Sequence, residues 1–289
     1  MSLLWGIPYL LIRVAVADLS PVVLVLARTA IGALVLAPLA IRLRAFVGLR
    51  PLLGWLLILT MLEVTVPFLL ISFGEQHIAS SLTGLLIASV PLLVAILAVR
   101  FDPSERVRGW RLGGLLIGLI GVALVLGLDL RGDRLALLGG VMILLASLCY
   151  AGGVLVIRLR LGGVSQLGVA IAPLVINSIL LAVPAALLAP HALPPVTVIA
   201  AVVVLGVACT GGAFVAYFTL IQEVGPGRAS VVTYINPAVA VALGALLLDE
   251  PIGPATVAGF VLIVMGSWLA TTGGRLPWRR RQPSAAIRE

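Results

Sequence analysis

The chain contains no lysine, so all 19 of its basic residues are arginines. Charged residues make up only 10% of the 289 residues, whereas they make up about 25% of an ordinary soluble domain. Hydrophobic residues account for 62%. This composition excludes a typical water-soluble protein. The absence of lysine also excludes a GxxxxGK[ST] phosphate-binding loop, so we do not expect ATP hydrolysis by this polypeptide.

Cysteine and histidine are scarce as well, with two of each. Cys149 and Cys209 lie in apolar segments without a CxxC spacing or a neighbouring His or Asp. We therefore expect inert packing residues, and predict no metal, no cofactor and no catalytic residue. The first apolar run follows neither a basic n-region nor a small-residue cleavage site, which predicts that it is retained as a helix.

Long apolar runs dominate the chain. A hydrocarbon core roughly 30 Å thick needs about 20 apolar residues per helix, and ten runs of suitable length lie between the charges, glycines and prolines. They cover residues 2–18, 21–41, 51–73, 78–99, 110–128, 135–157, 164–189, 196–221, 227–248 and 253–272. The runs predict an all-α membrane protein with about ten transmembrane helices in the lipid bilayer.

The arginines are distributed unevenly between the connections. Fifteen lie in the even-numbered loops and the tail, against two in the odd-numbered loops. Because short cytoplasmic loops accumulate basic residues, this bias predicts that both termini are cytoplasmic and argues against nucleic acid as a partner. The fifteen are Arg42, Arg44, Arg50, Arg100, Arg106, Arg108, Arg111, Arg158, Arg160, Arg228, Arg275, Arg279, Arg280, Arg281 and Arg288.

An internal repeat is detectable at a shift of 145 or 146 residues. The matched pairs are Ile12 with Ile157, Arg13 with Arg158, Glu105 with Glu250, Gly114 with Gly259, Gly121 with Gly266, Phe68 with Phe214, Gln76 with Gln222 and Pro91 with Pro237. We expect a first five-helix repeat at 1–128, a second at 135–272 and a basic cytoplasmic tail at 273–289. Since each repeat has an odd number of helices, the second copy is predicted to be inverted in the membrane.

Several landmarks resemble EamA-type members of the drug/metabolite transporter superfamily. They are Leu4-Trp5-Gly6, Gly74-Glu75-Gln76-His77, Pro91, Asn236-Pro237, and Asp249-Glu250-Pro251 followed by Gly259 and Gly266. The resemblance implies a bundle whose halves enclose a cavity with alternating access to small metabolites. Members of this group carry a longer apolar stretch before the Trp-Gly pair, so we expect a short first helix or a start downstream of the real one.

Glu63 is the sharpest candidate for a functional residue. It lies near the middle of the third span, where a charge is costly unless it is paired, hydrated or neutralised. We predict that Glu63 binds a proton or a substrate, and the alternative is a structural ion pair with Arg13 or Arg28. Its repeat counterpart falls at or near Cys209, which argues against a symmetric structural need. Arg13 and Arg28 either snorkel to the outer face or pair with Glu63 or a substrate carboxylate.

Two prolines occupy matching places in the fourth and ninth spans. Proline removes a backbone donor, so Pro91 and Pro237, the latter beside Asn236, are predicted to kink their helices and expose polar backbone. A role in packing alone is equally compatible with this pattern. Glycines at helical spacing are expected to allow close helix contacts. These are Gly114, Gly118, Gly259 and Gly266.

Four aromatic residues are candidates for lining the cavity, with packing as the alternative. They are Trp5, Tyr150, Tyr217 and Tyr234. Trp5 and Tyr150 coincide under the shift of 145 residues, so we expect them to face one cavity from opposite halves. Their apolar faces and polar tips suit amphiphilic small molecules. Gln76 and His77 are expected in a solvated loop at the outer mouth.

These features favour a secondary transporter of small metabolites, amino acids, drugs or related amphiphiles, working as an exporter. A small-molecule substrate and the lipid bilayer are the expected partners, protons are a candidate partner, and the oligomeric state stays open. The alternative is a polytopic membrane enzyme acting on lipid-phase substrates, which would need clustered His, Asp or Ser at membrane depth. A membrane scaffold or receptor is a third reading, which gives no direct reason for an inverted repeat.

Overall fold

The structure is a computed structural model that describes residues 1–101, 109–129, 133–224 and 232–274. Within these ranges the secondary structure is helical, and no β-strand occurs. The part of the predicted basic tail beyond residue 274 lies outside the described residues, as do Glu105 and the arginines at positions 106, 108, 131 and 228.

The first half of the chain forms seven α-helices that make up five spans. They are α1 (Ser2–Ala15), α2 (Pro21–Arg42), α3 (Leu53–Thr60), α4 (Val66–Gly74), α5 (Ser80–Ile87), α6 (Val90–Phe101) and α7 (Trp110–Leu124). A short 3-10 turn, Arg50–Leu52, precedes α3. A π-helical segment, Met61–Thr65, joins α3 to α4, and a second π-helical segment, Val125–Asp129, continues α7.

The second half forms a further five spans. Its helices are α8 (Arg134–Arg160), α9 (Gln166–Leu187), α10 (Val196–Gly206), α11 (Ala213–Val224), α12 (Val232–Leu247) and α13 (Pro254–Thr272). A third π-helical segment, Val207–Gly212, joins α10 to α11. Over the described residues, eight stretches are long and apolar enough to cross a membrane, and α1 and α12 are shorter apolar helices.

Local sequence signals set several helix ends. The Ser20 hydroxyl accepts a hydrogen bond from the Val23 N–H at 3.4 Å, and Pro21 opens α2. Asp133 accepts from the Leu135 N–H at 2.8 Å at the start of α8. These are the residue types that satisfy the unpaired donors of a helix N-terminus. The sequence thus encodes where these spans begin.

The outer surface of the bundle is apolar. Large hydrophobic side chains such as Leu34, Leu116, Ile179 and Leu246 are exposed. Such a surface is unfavourable in water and suits contact with lipid chains. Together with the eight long apolar stretches, it makes this chain an integral membrane protein.

Glycines bring α7 and α13 into close contact, as the sequence predicted. A Cβ built on Gly114 would lie 2.4 Å from Leu269 Cβ and 2.6 Å from the Ala270 nitrogen. A Cβ on Gly266 would lie 2.4 Å from the Gly118 nitrogen. The last span of each half therefore packs backbone against backbone.

The two halves share their irregular segments. The π-helical segments Met61–Thr65 and Val207–Gly212 begin 146 residues apart, which is one of the two shifts of the sequence repeat. Short π-helical segments inside α-helices occur frequently at functional sites. The fold is therefore an all-α bundle of two inverted five-helix repeats, with a matching interruption in the third span of each.

The fourth span departs from the single run expected at 78–99. A turn at Ala88 and Ser89 separates α5 from α6, and Pro91 is the second residue of α6. The Ser267 hydroxyl donates to the Ala88 carbonyl at 2.9 Å, which satisfies an acceptor that the interruption exposes. Pro237 instead lies buried inside the continuous helix α12.

Candidate functional site

Arg28 is buried between the two halves. Its side chain is 8% exposed, and its Nε donates to Thr210 Oγ1 in the third π-helical segment at 3.1 Å. The guanidinium carbon lies 4.0 Å from the centre of the Phe68 ring, a distance typical of a cation–π interaction. Of the two alternatives for Arg28, snorkelling to the outer face is therefore wrong, because these two contacts hold the side chain inside the bundle.

A ring of polar groups surrounds this arginine. Arg28 interacts electrostatically with Tyr150, Cys209, Tyr9 and Glu75. Within the described residues, its only hydrogen bond uses Nε, although a guanidinium carries five N–H donors in a fork that matches a carboxylate. The Nη groups therefore have no hydrogen-bond partner among the described residues.

Glu75 follows α4 directly and is fully buried, with 0% exposure. Its backbone carbonyl accepts a hydrogen bond from Arg13 Nη1. The Thr83 hydroxyl lies near the carboxylate, but that hydroxyl donates to the Ala79 carbonyl at 3.2 Å. In the part of the chain that the structure describes, neither carboxylate oxygen of Glu75 has a hydrogen-bond partner.

Glu250 ties the second half to the first. Its two carboxylate oxygens accept the N–H groups of Ser80 and Ser81 at 2.7 and 2.9 Å, and these residues begin α5. Negative charge at a helix N-terminus is favourable, so Glu250 caps α5 across the repeat boundary. This contact brings a second carboxylate close to Glu75.

The charge environment of Glu75 is mixed. Glu75 lies between the spans Arg50–Gly74 and Ser80–Ala98. Burial raises the pKa of its carboxyl well above the usual range, and repulsion from Glu250 adds to the increase, whereas Arg13 and Arg28 oppose it. The raising effects outweigh the lowering ones, so burial favours the protonated, neutral form of this carboxyl.

Glu63 lies in the first π-helical segment and is half-buried. Its carboxylate packs against α8, where a Cβ built on Gly153 would lie 2.1 Å from Glu63 Oε1. It also interacts electrostatically with Tyr150 and Cys149. The alternative of an ion pair with Arg13 or Arg28 is not found among the described contacts.

Arg13 itself is exposed near the end of α1, while its Nη1 reaches the Glu75 carbonyl. The guanidinium of this exposed arginine is thus held against the bundle by the Glu75 carbonyl. It contributes positive charge at the edge of the site rather than inside it.

A separate polar network joins α2, α9 and the first π-helical segment. The Thr65 hydroxyl donates to Asn177 Oδ1 at 2.7 Å, and Asn177 Nδ2 donates to the Thr29 hydroxyl at 3.0 Å. Thr29 in turn donates to the Val25 carbonyl at 2.8 Å. Because these groups satisfy one another, the network is structural and does not offer a free ligand group.

The four candidate aromatic residues fall into three places. Trp5 packs against Tyr217 with ring centres 4.8 Å apart. Tyr150 instead interacts with Tyr9 and Arg28. Tyr234 shares a hydrogen bond with Thr271 of α13. Trp5 and Tyr150 thus have different partners in the described contacts, and Tyr9 is the α1 residue that interacts with Tyr150.

Asn236 packs beside α1. Its backbone carbonyl would lie 3.1 Å from a Cβ built on Gly6. With the side-chain amide oriented to satisfy both of its polar atoms, its nitrogen donates to the Val232 carbonyl at 2.9 Å and the Ser2 carbonyl at 3.3 Å. The Asn-Pro pair therefore contacts the first helix of the other half.

Sequence reasoning missed several residues of the site. They are Tyr9, Phe68, Glu75, Thr210 and Glu250. A signal existed for two of them, because Tyr9 is four residues after Trp5 on one helix and Thr210 follows the repeat counterpart of Glu63. Glu75 belongs to the family landmark Gly74-Glu75-Gln76-His77, but nothing in the sequence indicated that it is buried, since it stands in a short polar run between two spans.

A ten-span bundle of inverted repeats with a buried cation between its halves defines a class, the polytopic membrane transporter. The EamA-like transporter family matches residues 1–127 and 137–272. The chain belongs to this family.

Relatives in two bacteria share nearly the full length. The "Uncharacterized inner membrane transporter YedA" of Escherichia coli K12 is 29% identical over 94% of this chain and 89% of the relative. The "Probable amino-acid metabolite efflux pump" of the same strain is 24% identical over 96% and 93%. The "Uncharacterized transporter YoaV" of Bacillus subtilis is 23% identical over 94% of both chains.

A crystal structure shares the fold. It matches with a TM-score of 0.66 at 22% identity, and the match covers 93% of this chain and 94% of the other.

Proposed function

We propose that the chain is a secondary transporter that exports small metabolites, amino acids, drugs or related amphiphiles by alternating access. The observation that carries this proposal is Arg28, a permanently charged group with 8% exposure, in contact with a hydroxyl and an aromatic ring from different halves. Ionisable residues inside a membrane are costly and mark substrate pathways by default. Arg28 would bind the anionic group of the substrate.

Aromatic side chains near this arginine suit the remainder of an amphiphilic substrate. Phe68 lies under the guanidinium, and Tyr9 and Tyr150 interact with it electrostatically. Such rings offer apolar contact together with a few hydroxyl groups that fix orientation. Trp5 and Tyr217 form a further aromatic contact, which we assign to the same pathway.

We assign the chain to the bacterial inner membrane with both termini in the cytoplasm. The arginine bias of fifteen against two supports the orientation, and the printed name of the Escherichia coli relative YedA supports the membrane. The repeats at 1–128 and 135–272 would then rock against each other, and the tail at 273–289 would be cytoplasmic. Export agrees with the printed name of the amino-acid metabolite efflux pump.

Coupling to a proton gradient is part of the proposal. Glu63, half-buried in the first π-helical segment, and Glu75, fully buried beside α5, are the two carboxylates that could exchange a proton during the cycle. Asn236, Pro91 and Pro237 would contribute interrupted or donor-poor backbone along the same path.

Uptake and efflux assays test the proposal. The purified full-length chain is reconstituted into liposomes, and a panel of labelled amino acids, organic acids and cationic drugs is tested with and without an imposed pH gradient. We expect at least one class of compound to move faster than in protein-free liposomes, and faster again with the gradient. If no compound moved, the proposal would fail and a membrane enzyme acting on lipid-phase substrates would become the better hypothesis.

A further inference from the structure

This inference rests on the proposed transport function and concerns a residue without an assigned role. We propose that the Glu75 carboxylate is a binding site for one positive charge, which a proton and the ammonium group of a zwitterionic substrate occupy in turn. Arg28 would hold the carboxylate of the same substrate.

The first support is that Glu75 is buried without a partner. It has 0% exposure, and neither of its carboxylate oxygens accepts a hydrogen bond from the described residues. A buried charge is stable only when it is paired, and otherwise the group takes up a proton. Glu75 therefore needs a proton or a cation, and one that arrives from outside the protein satisfies this need.

The second support is that the charged groups around Glu75 are already engaged elsewhere. Arg13 of α1 donates to the Glu75 backbone carbonyl and is exposed. Arg28 of α2 donates through Nε to Thr210. Glu250, which follows α12, accepts two N–H groups from α5. None of the three therefore neutralises the Glu75 carboxylate directly.

The remaining neighbours do not supply a cation either. Tyr9 of α1 interacts with Glu75 electrostatically. The Thr83 hydroxyl of α5 donates to the Ala79 carbonyl. Every group that faces Glu75 is thus a hydroxyl, a second carboxylate or an arginine with another contact, and the site remains open to one positive charge.

The third support is the pairing of opposite charges across the site. Glu75 and Arg28 act on each other electrostatically but do not form an ion pair in the described contacts. A zwitterion would place its carboxylate on the Arg28 fork and its ammonium on Glu75. An anion alone would leave Glu75 unpaired, and an amine alone would leave Arg28 unpaired, so both are bound less well.

Exchange at Glu75 would couple transport to protons. The ammonium group and the proton cannot share the one carboxylate, so the substrate leaves before the proton binds. The cycle exports one zwitterion, imports one proton and breaks no covalent bond. One positive charge moves inward in each cycle, so both a pH gradient and a membrane potential drive export. Burial raises the pKa of the Glu75 carboxyl, which favours uptake of a proton once the ammonium group has left.

The transport test uses proteoliposomes with the full-length chain and four named probes. These are leucine, phenylalanine and their 2-oxo acids, 4-methyl-2-oxopentanoate and phenylpyruvate, which keep the carboxylate and lack the ammonium. We compare the wild type with Glu75→Gln, Glu75→Asp and the matched control Glu223→Gln, which alters an exposed glutamate at the end of α11.

We expect the amino acids to be transported at least tenfold faster than their 2-oxo acids by the wild type. In Glu75→Gln, the increase in transport rate caused by the pH gradient should be at least tenfold smaller than in the wild type. Glu75→Asp should keep part of this increase, and Glu223→Gln should match the wild type. Equal transport rates for the amino acids and the 2-oxo acids would overturn the inference. So would a response to the pH gradient that persists in Glu75→Gln, or one that is lost in Glu63→Gln but not in Glu75→Gln. Replacement of the pH response by a sodium gradient would overturn the proton assignment.

A second measurement does not depend on transport. Infrared spectra of the proteoliposomes are recorded across a pH series for the wild type and Glu75→Gln. We expect a carboxylic-acid band that persists above pH of about 6, where an ordinary glutamate with a pKa of about 4.3 is ionised. The band should lose intensity in Glu75→Gln, and identical spectra would overturn the inference. If the wild type shows the band but moves none of the four probes, the zwitterion assignment fails, and the wider panel then judges the proposed function on its own.

Discussion

The contact between α7 and α13 gives a sharp prediction about stability, through Gly114→Ala. The added Cβ would lie 2.4 Å from Leu269 Cβ, 2.6 Å from the Ala270 nitrogen and 2.8 Å from the Gly266 carbonyl oxygen. Two of these three atoms belong to the backbone, so rotating a side chain cannot relieve the clash. The helices must separate, and they then lose contact along the whole interface.

The size of the effect follows from the cost of overpacking. Inserting a methyl group into a tightly packed site costs about 1–3 kcal/mol. At about 2–4 °C per kcal/mol for a chain of this size class, Tm should fall by about 2–12 °C. The neighbouring Gly113 provides a matched control, since a Cβ there would meet no atom within 4 Å. Gly113→Ala should be neutral or stabilising by up to about 1 kcal/mol, the difference in helix propensity.

Thermal unfolding of the purified protein in detergent, followed by tryptophan fluorescence, measures the difference between the two variants. The relevant quantity is the gap in Tm between Gly114→Ala and Gly113→Ala under the same conditions. A gap of less than about 1 °C would refute the reasoning, because it would mean that the helices do not approach as closely as the backbone distances require.

Two further predictions follow from the contacts of the carboxylates. Glu250→Gln keeps one acceptor for the α5 N-terminus and loses the charge, so Tm should fall by an amount equivalent to about 1–3 kcal/mol. The control Asp249→Asn alters an exposed neighbour and should leave Tm unchanged. Equal shifts in Tm for the two variants would contradict the role of Glu250 as a helix cap. Gly153→Ala should displace the Glu63 side chain, since its Cβ would lie 2.1 Å from Oε1, and should alter the pH profile of transport. Gly152→Ala, with its nearest contact at 3.5 Å, should not, and identical profiles for the two variants would contradict a role for Glu63.

Much of the fold could be predicted from the sequence because membrane helices have a strong signal. Apolar runs near 20 residues correspond to the thickness of the hydrocarbon core, and the described spans follow the predicted runs. The repeat shift also predicted a relation between Glu63 and Cys209, and these residues occupy the same place in two π-helical segments. The break before Pro91 was less predictable, because a proline, which lacks a backbone N–H, is compatible with either a kinked or a fully interrupted helix.

The site was harder to predict because distant contacts decide it. Glu75 stands in a polar run that is typical of a solvated loop, yet Arg13 and Glu250 come together around it from positions far apart in the chain. Arg28 is near enough to the end of its helix to snorkel, but Thr210, 182 residues away, holds it inside. A single sequence does not show which residues far apart in the chain come into contact, so the burial of Glu75 and Arg28 and their charged neighbours could be identified only from the structure.

The claim that Arg28 binds the anionic group of the substrate can be tested most directly by efflux from proteoliposomes. The initial rate of downhill efflux of the best-transported amino acid is measured for the wild type, Arg28→Gln and Arg42→Gln. Arg42 is the exposed last residue of the same helix and serves as the matched control. We predict at least a tenfold loss for Arg28→Gln and an unchanged rate for Arg42→Gln. Wild-type efflux by a correctly folded Arg28→Gln variant would contradict the claim.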